Sequence, residues 1–264
     1  MHYEIIDFHT HPFDDVTNNI CVHKNYFDIT TENTITHMNA LGVSRICGSV
    51  ICSNIGKNPA PYENEWEAIA DSNQKALKLK EYYGDFYIPG FHVHPNYVKE
   101  SCDEIEKMSQ LGIRLIGELV PYHHGWDDYS CKGFDEILDV AASYHMVVNF
   151  HSMNDDSMDI MSKRHPDTIL VAAHPGDHIT YPKQLERMRI NKNYHLDLSG
   201  RGITGHGLLR RGINEFGPER FLYGSDYPVC NPAAYLGGVL LDPLITENEK
   251  KLILAGNAKR LLAL

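Results

Sequence analysis

The chain has 264 residues, of which 42% are hydrophobic and 22% are charged, a composition that fits one globular domain with a sizeable core. Its 24 basic and 35 acidic residues give a formal net charge of -11. There is no basic run, which argues against binding to nucleic acid, and no secretory signal or membrane span is evident, so we expect a cytoplasmic protein.

The cysteines give no sign of a disulfide framework or a zinc knuckle. They are scattered and form no C-x-x-C pair, so we expect buried or surface thiols in a reducing compartment. The six positions are Cys21, Cys47, Cys52, Cys102, Cys131 and Cys230.

Short apolar runs alternate with segments of helical period along the whole chain. This alternation predicts parallel strands joined by crossover helices. Eight such runs in a chain of this length favour a closed (β/α)8 TIM barrel over an open sheet, with residues 1–264 as a single α/β domain. The predicted strands lie near residues 3–8, 43–51, 86–92, 113–119, 146–150, 168–173, 194–198 and 220–225.

The intervening segments support this count of strands. Segments 98–111 and 133–144 each carry an apolar stripe at helical spacing. The last helix begins at Thr246, with Glu249 three residues later in a capping-box pattern, and is predicted to continue to the C-terminus. Two long segments, 12–30 and 52–62, follow the first two strands, and we interpret each as either a lid over the barrel mouth or a variable surface loop.

The end of the first strand carries two histidines one residue apart. Successive side chains of a strand point to opposite faces, so His9 and His11 point the same way, with their backbones roughly 6–7 Å apart. Two imidazoles in this arrangement can converge on one metal ion.

Other strand ends carry the same kinds of residue. Glu118 lies inside an apolar run, where a carboxylate is costly to bury unless it is paired or bound to a metal. His151, His174 and Asp226 end the fifth, sixth and eighth predicted strands. Each residue alone has a structural explanation, but all of them fall on one rim of the predicted barrel. Neutral imidazole and carboxylate are the usual ligands of zinc, manganese or iron where one position stays open for water.

These motifs together resemble the amidohydrolase superfamily, in particular its amidohydrolase-2 branch. The segments that carry the resemblance run from the first strand to the last helix and are Asp7-Phe8-His9-Thr10-His11, His151, His174-Pro175-Gly176, Leu222-Tyr223-Gly224-Ser225-Asp226-Tyr227-Pro228 and Gly256-Asn257-Ala258-Lys259-Arg260-Leu261-Leu262. The resemblance implies a distorted TIM barrel with one or two divalent metals at its mouth.

The resemblance also implies roles for the ligands. His9, His11 and Asp226 would hold the first metal. His151 and His174 would hold a second metal or, in members with a single metal, serve as one ligand and one catalytic or substrate-facing histidine.

Glu118 departs from many members of the branch, which carry no bridging ligand at that strand end. Relatives with two metals use a carboxylated lysine or a glutamate there, so Glu118 favours two metals over one. Gly117-Glu118 also resembles the TatD-type metal-dependent deoxyribonucleases, although the Gly-Ser-Asp-Tyr-Pro segment and the acidic charge favour the amidohydrolase-2 branch.

A second H-x-H pair, His92 and His94, ends the third predicted strand. It lacks the acidic residue that precedes the first pair, where Asp7 could support a ligating imidazole. We therefore expect His92 and His94 to surround the site or contact substrate rather than bind metal.

Three further groups near the mouth are predicted to contact substrate. His123 and His124 follow the fourth strand. Arg201 follows the seventh strand, and its guanidinium could grip a carboxylate with two parallel hydrogen bonds or form a structural salt bridge.

The sequence thus predicts metal-dependent hydrolysis of an amide, ester or lactone bond in a small molecule. Asp226 would act as general base and then acid, with His174 as the second catalytic residue. The cofactor is expected to be one or two divalent ions, zinc before manganese or iron. The alternatives are decarboxylation of an unsaturated or aromatic acid, a TatD-like phosphodiesterase, and a metal-binding barrel without catalysis. Self-association into a homo-oligomer is left open.

Overall fold

The computed structural model describes residues 3–16, 29–51, 62–201 and 205–264. Eight parallel strands lie in one sheet in chain order, each beside the next. They are β1 (Ile6–Asp7), β2 (Arg45–Ser49), β3 (Tyr87–Phe91), β4 (Leu115–Leu119), β5 (Val147–Phe150), β6 (Ile169–Ala172), β7 (Tyr194–Asp197) and β8 (Phe221–Leu222). All eight fall within the predicted strands.

Backbone hydrogen bonds between the first and last strands close the sheet into a barrel. Phe8 N–H donates to the carbonyl of Tyr223 at 2.9 Å, and His11 N–H donates to the carbonyl of Tyr227 at 2.7 Å. In the other direction, Asp226 N–H donates to the carbonyl of His9 at 2.8 Å. These bonds lie just beyond the carboxyl ends of β1 and β8, so they hold those two strand ends together at the mouth.

Helices follow the strands, as crossover connections between parallel strands require. They are α1 (Thr31–Ala40), α2 (Glu65–Tyr83), α3 (Val98–Gln110), α4 (Lys132–Ser143), α5 (Asp155–Arg164), α6 (Tyr181–Ile190), α7 (Leu208–Phe216), α8 (Pro232–Leu240), α9 (Glu247–Lys251) and α10 (Asn257–Leu262). A π-helical turn, Leu252–Gly256, joins α9 to α10. The predicted helices 98–111 and 133–144 correspond to α3 and α4.

The core has two parts. The larger cluster lies between the strands and the surrounding helices. The smaller one takes single buried side chains from several strands and packs them against the C-terminal helix, as side chains that fill a barrel interior do. Its strand residues include Ile6, Cys47, Leu115, Val147, Val171 and Leu222.

Most of the two predicted lid segments, residues 17–28 and 52–61, lies outside the described residues, as do Cys21 and Cys52. The other four cysteines form no disulfide with one another. Among the described residues, no helix is long and apolar enough to cross a membrane.

Candidate metal centre

The first histidine pair meets two carboxylates at the barrel mouth. Nε2 of His9 and Nε2 of His11 lie 3.2 Å apart, and each is 3.3 Å from Oε2 of Glu118. Oδ1 of Asp226 lies 3.2 Å from Nε2 of His11 and 3.7 Å from Nε2 of His9. Four side chains from β1, β4 and β8 therefore converge on one point.

The second group forms on the other oxygen of the same glutamate. Oε1 of Glu118 lies 3.1 Å from Nδ1 of His151 and 3.3 Å from Nε2 of His174. Glu118 is thus shared by two groups of potential ligands, one with His9 and His11 and one with His151 and His174. All six residues predicted as metal ligands come together, at the ends of five strands.

An irregularity in β4 positions Glu118. The pairing of β4 with β5 changes register between Ile116 and Leu119. Gly117 has a φ of +90°, and a Cβ there would lie 2.1 Å from the carbonyl oxygen of Asn149. Only glycine fits such an approach, and irregularities of this kind often re-aim a side chain at a functional site.

His174 and Asp226 adopt left-handed backbone conformations, with φ values of +58° and +62°. Such conformations cost roughly 1–3 kcal/mol each for residues with a side chain and cluster at functional sites. Both residues lie at the mouth of the barrel. The interactions of their side chains there must offset the conformational cost of the left-handed backbone.

Behind the centre lies a polar network that the sequence analysis missed. Oδ2 of Asp197 is 3.1 Å from Nδ1 of His9, and it also accepts a 2.8 Å hydrogen bond from Nδ2 of Asn149. The Ser199 hydroxyl lies 3.0 Å from Nδ1 of His9 and 3.1 Å from Nδ1 of His174. Asp197 could have been found by the argument used for Glu118, since it is also a carboxylate in an apolar strand.

Asp7 does not support an imidazole, contrary to expectation. Its Oδ1 accepts backbone N–H groups instead, from Ser225 at 2.9 Å and from His9 at 3.3 Å. Burial raises the pKa of Asp7 to about 7, although these hydrogen bonds act in the opposite direction. Asp7 therefore ties β1 to the strand-eight loop, while Asp197 contacts the ring of His9.

The electrostatics of the centre suit a cation. Burial alone would lower the pKa of His9, but the Asp197 and Glu118 carboxylates raise that pKa well above its usual value. Burial would raise the pKa of Glu118, whereas the surrounding histidines hold it well below its usual range. The site therefore favours positive charge beside buried carboxylates.

The donor set passes a further test for metal. Two buried ring nitrogens face each other at 3.2 Å, an arrangement that either a shared proton or a common cation satisfies. Imidazole and carboxylate ligands suit zinc, manganese or iron. The residues present therefore fit a divalent ion in each of the two groups.

A cavity of about 570 Å³ opens beside the second group and is lined by His151, His174, Arg201, Asp226 and Cys230. Within the described part of the chain, the Arg201 side chain forms no salt bridge, so the structural alternative for it has no support there.

A smaller cavity of about 200 Å³ is lined by His123 together with Glu118 and Tyr122. The rings of His123 and Tyr122 lie 4.8 Å apart. Of the three predicted substrate contacts, His123 and Arg201 thus face cavities at the mouth, whereas His124 is buried and lines neither of them.

The second H-x-H pair does not join the centre. Nε2 of His92 is 3.1 Å from the carbonyl oxygen of Val50, and Nε2 of His94 is 2.9 Å from that of His124. Burial lowers the pKa of His92 to about 4, so it stays neutral at physiological pH. His92, His94 and His124 are buried structural residues rather than ligands.

Three solved structures show the same fold as this chain. A dihydroxybenzoic acid decarboxylase from Polaromonas sp. JS666 with bound manganese has a TM-score of 0.74 at 13% identity, with 99% of this chain and 97% of that chain covered. The 5-carboxyvanillate decarboxylase of Sphingomonas paucimobilis has a TM-score of 0.71 at 15% identity, with 99% of each chain covered. A probable 2-pyrone-4,6-dicarboxylic acid hydrolase from Acinetobacter baumannii has a TM-score of 0.69 at 16% identity, with both chains fully covered, at 100% each.

The comparison with curated proteins found no match at the significance required. The family model described as amidohydrolase, Amidohydro_2, matches residues 6–264. That span contains every strand and all six converging side chains. The chain is therefore an enzyme of the amidohydrolase family, in its amidohydrolase-2 branch.

Proposed function

We propose that this protein is a hydrolase with two divalent metal ions, acting on a small molecule. The observation that carries the proposal is the position of Glu118, whose two oxygens face two separate histidine pairs. A carboxylate that is a ligand of a single ion would need only one histidine pair beside it. In the proposed centre, His9, His11 and Asp226 would hold one ion and His151 and His174 the other, with Glu118 as a ligand available to both.

Ions bound in this way would lower the pKa of a water molecule toward ~7 and polarise the bond to be cleaved. Asp226 lines the cavity and is the residue we assign as general base. It accepts the proton of the attacking water and then donates it to the leaving group. His174 lines the same cavity and is proposed to orient the substrate as well as to hold metal.

The proposed substrate carries an amide, ester or lactone bond and a carboxylate. Arg201 is the basic residue that the described cavity lining offers to an anion, and a guanidinium binds a carboxylate with two parallel hydrogen bonds. A cavity of about 570 Å³ has the size of a pocket for a small organic molecule. His123 is proposed as a second contact. The probable 2-pyrone-4,6-dicarboxylic acid hydrolase, which is structurally similar, is named for a lactone that carries carboxylates.

Decarboxylation is the second candidate. It is favoured by the similarity in fold to two decarboxylases of hydroxylated aromatic acids, and Arg201 would equally suit their substrates. The shared Glu118 favours hydrolysis, because a second ion helps to position and activate water but has no evident task in releasing CO₂.

We propose zinc as the resident metal, since zinc commonly combines histidine and carboxylate ligands with an open position. Manganese and iron suit the same ligands, and manganese is bound in one structurally similar decarboxylase.

Asp226→Asn tests the proposal directly. Hydrolysis of a panel of carboxylate-bearing lactones, esters and amides should fall at least ~100-fold, because the general base is lost. Most of the metal should remain in the same sample, because His9, His11 and Glu118 still form a group of three ligands without Asp226.

Asp103→Asn, a change of the same chemistry on the exposed face of α3, is the control and should leave hydrolysis unchanged. Unchanged hydrolysis in Asp226→Asn would refute the role of Asp226. CO₂ release from candidate acids, without hydrolysis of any panel member, would favour the second candidate.

A further inference from the structure

The network behind the centre connects one histidine of each pair to a single carboxylate. Asp197 ends β7 and is fully buried, as is Ser199 two residues later. The Ser199 hydroxyl donates a hydrogen bond to Oδ1 of Asp197 and lies 3.1 Å from Nδ1 of His174 and 3.0 Å from Nδ1 of His9. Oδ2 of Asp197 lies 3.1 Å from Nδ1 of His9. Nδ1 of His9 therefore faces both Asp197 and Ser199, whereas Nδ1 of His174 faces Ser199.

The donors and acceptors around Asp197 fix the direction of each of its hydrogen bonds. Oδ1 of Asp197 accepts from the Ser199 hydroxyl and, at 3.1 Å, from the Ser199 backbone N–H. Oδ2 accepts from Nδ2 of Asn149 at 2.8 Å. An ionised carboxylate can only accept, so the proton between Oδ2 and His9 belongs to Nδ1 of His9.

The position of the ring proton of His174 follows in the same way. The single proton of the Ser199 hydroxyl is committed to Asp197, so the oxygen of Ser199 must accept from His174. Nδ1 of His174 therefore carries a proton, and its Nε2 presents a lone pair toward Glu118. His9 and His174 are both fixed in the tautomer that a ligating Nε2 requires.

We propose that Asp197 and Ser199 are positioning residues that couple the two halves of the metal centre, an inference that rests on the proposed two-ion function. Asp197 orients His9 directly and His174 through Ser199. When Ser199 is lost, Nδ1–H of His9 keeps Asp197 as its acceptor, whereas Nδ1–H of His174 loses the one acceptor that the described residues give it. Loss of Ser199 therefore weakens the ion on the His151 and His174 side, whereas neutralising Asp197 weakens both ions.

Two glycines allow the backbone to pack closely against His9 and His174. A Cβ at Gly200, which has a φ of +58°, would lie 2.1 Å from Nδ1 of His174. A Cβ at Gly224 would lie 2.7 Å from Cβ of His9 and 3.3 Å from Oδ1 of Asp197. The rings and the two positioning residues thus pack without space for an alternative arrangement.

The other two histidines lack this support. Nδ1 of His11 is buried and has no hydrogen-bond partner in the described ranges. His151 turns its Nδ1 toward Glu118, so that its Nε2 is the nitrogen facing away. The coupling accordingly involves one member of each pair.

The test is a competitive Zn²⁺ titration of metal-stripped protein against a chromophoric chelator, with a separate affinity fitted for each ion. Outer groups of this kind typically change metal affinity 10–100-fold. Ser199→Ala should weaken one of the two ions at least ~10-fold and leave the other within ~2-fold. Asp197→Asn should weaken both at least ~10-fold.

Ser162→Ala is the matched control, because Ser162 is equally buried and its hydroxyl has no partner in the part of the chain described. Ser199→Ala behaving like Ser162→Ala would overturn the proposal, and so would an equal loss of both ions in Ser199→Ala. Two ions in wild-type protein with unaffected variants would refute only the coupling. A single ion in wild-type protein would refute the two-ion centre and the coupling with it.

A second measurement, of the ring protons of the histidines, uses the wild-type protein and so does not require a variant to fold. In the zinc-loaded wild type labelled with ¹⁵N-histidine, NMR should show slowly exchanging Nδ1–H protons on His9 and His174. An Nε2–H tautomer at His174 would overturn the proposal.

Discussion

At the scale of single residues, the sequence could predict that six side chains lie together because each is a costly polar group at the end of an apolar strand. Glu118 lies within an apolar strand, and His151, His174 and Asp226 each follow one. Asp197 carries the same signal, but its segment was considered only as the approach to Arg201. Which nitrogen of each imidazole faces Glu118 depends on the three-dimensional packing and has no counterpart in the sequence.

Arg201 offers a prediction at this scale. Arg201→Gln removes the proposed charged hydrogen bonds to a substrate carboxylate, each worth about 1.5–3 kcal/mol. For a carboxylate-bearing substrate KM should rise about 10–100-fold, while kcat changes by less than about 3-fold, as expected for lost ground-state binding. Steady-state kinetics on that substrate and on its methyl ester provide the measurement.

The ester should respond little to Arg201→Gln, since it lacks the negative charge. Arg211→Gln, on α7, is a control for the loss of one surface charge. An equal rise in KM for acid and ester would contradict the proposed contact.

At the scale of elements, every strand was located by the alternation of apolar and helical segments, but the final helix was not predicted correctly in detail. It begins at Thr246 with the predicted capping box and is then interrupted by the π-helical turn Leu252–Gly256. The Ile253 carbonyl accepts a 2.9 Å hydrogen bond from Tyr223 N–H. Hydrophobic periodicity cannot reveal a bond to a residue thirty positions away along the chain, roughly the length of one βα unit.

The cap of α9 gives a prediction at this scale. Glu249 accepts hydrogen bonds from Arg210 on α7 and from Thr246, which together lower its pKa to about 2 against burial. The charged form is thus favoured by folding, so its stabilisation is complete above about pH 4.5 and is lost as the pH falls toward 2. Glu249→Gln should lower the free energy of unfolding by about 1–2 kcal/mol at pH 7.

Urea unfolding at pH 7 and at pH 3 measures this effect. The difference between Glu249→Gln and wild type should shrink at the lower pH. Glu106→Gln, on the exposed face of α3, should change little at either pH. A loss of stability in Glu249→Gln that is independent of pH would contradict the account.

At the scale of the whole molecule, the length of the chain and the number of strands were enough to predict a closed barrel. The mouth could be assigned because site residues of barrels lie at the carboxyl ends of strands. The shape of the cavity could not be predicted, since it depends on loops without a recognisable pattern.

Buried neutral histidines make the stability of the molecule depend on pH. His195 in β7 is 4% exposed, and burial together with nearby Arg220 lowers its pKa to about 3. Between pH 6.5 and pH 3, His195 is protonated in the unfolded chain but stays neutral in the folded protein. The free energy of unfolding therefore falls as the pH drops from 6.5 toward 3. His195→Asn should reduce the slope of the unfolding free energy by up to about 1.4 kcal/mol per pH unit in that window.

Unfolding free energies measured between pH 4 and pH 6 provide the check. His178→Gln, an exposed position, should leave the slope unchanged. A slope in His195→Asn equal to that of the wild type would show that His195 is protonated in the folded protein.

Glu118 is proposed to serve two ions, and elemental analysis of the purified protein tests this most directly. We predict close to two divalent ions per chain in the wild type. Glu118→Gln should lose at least one of them, while Glu106→Gln keeps both. One ion per chain in the wild type, retained in Glu118→Gln, would contradict the claim.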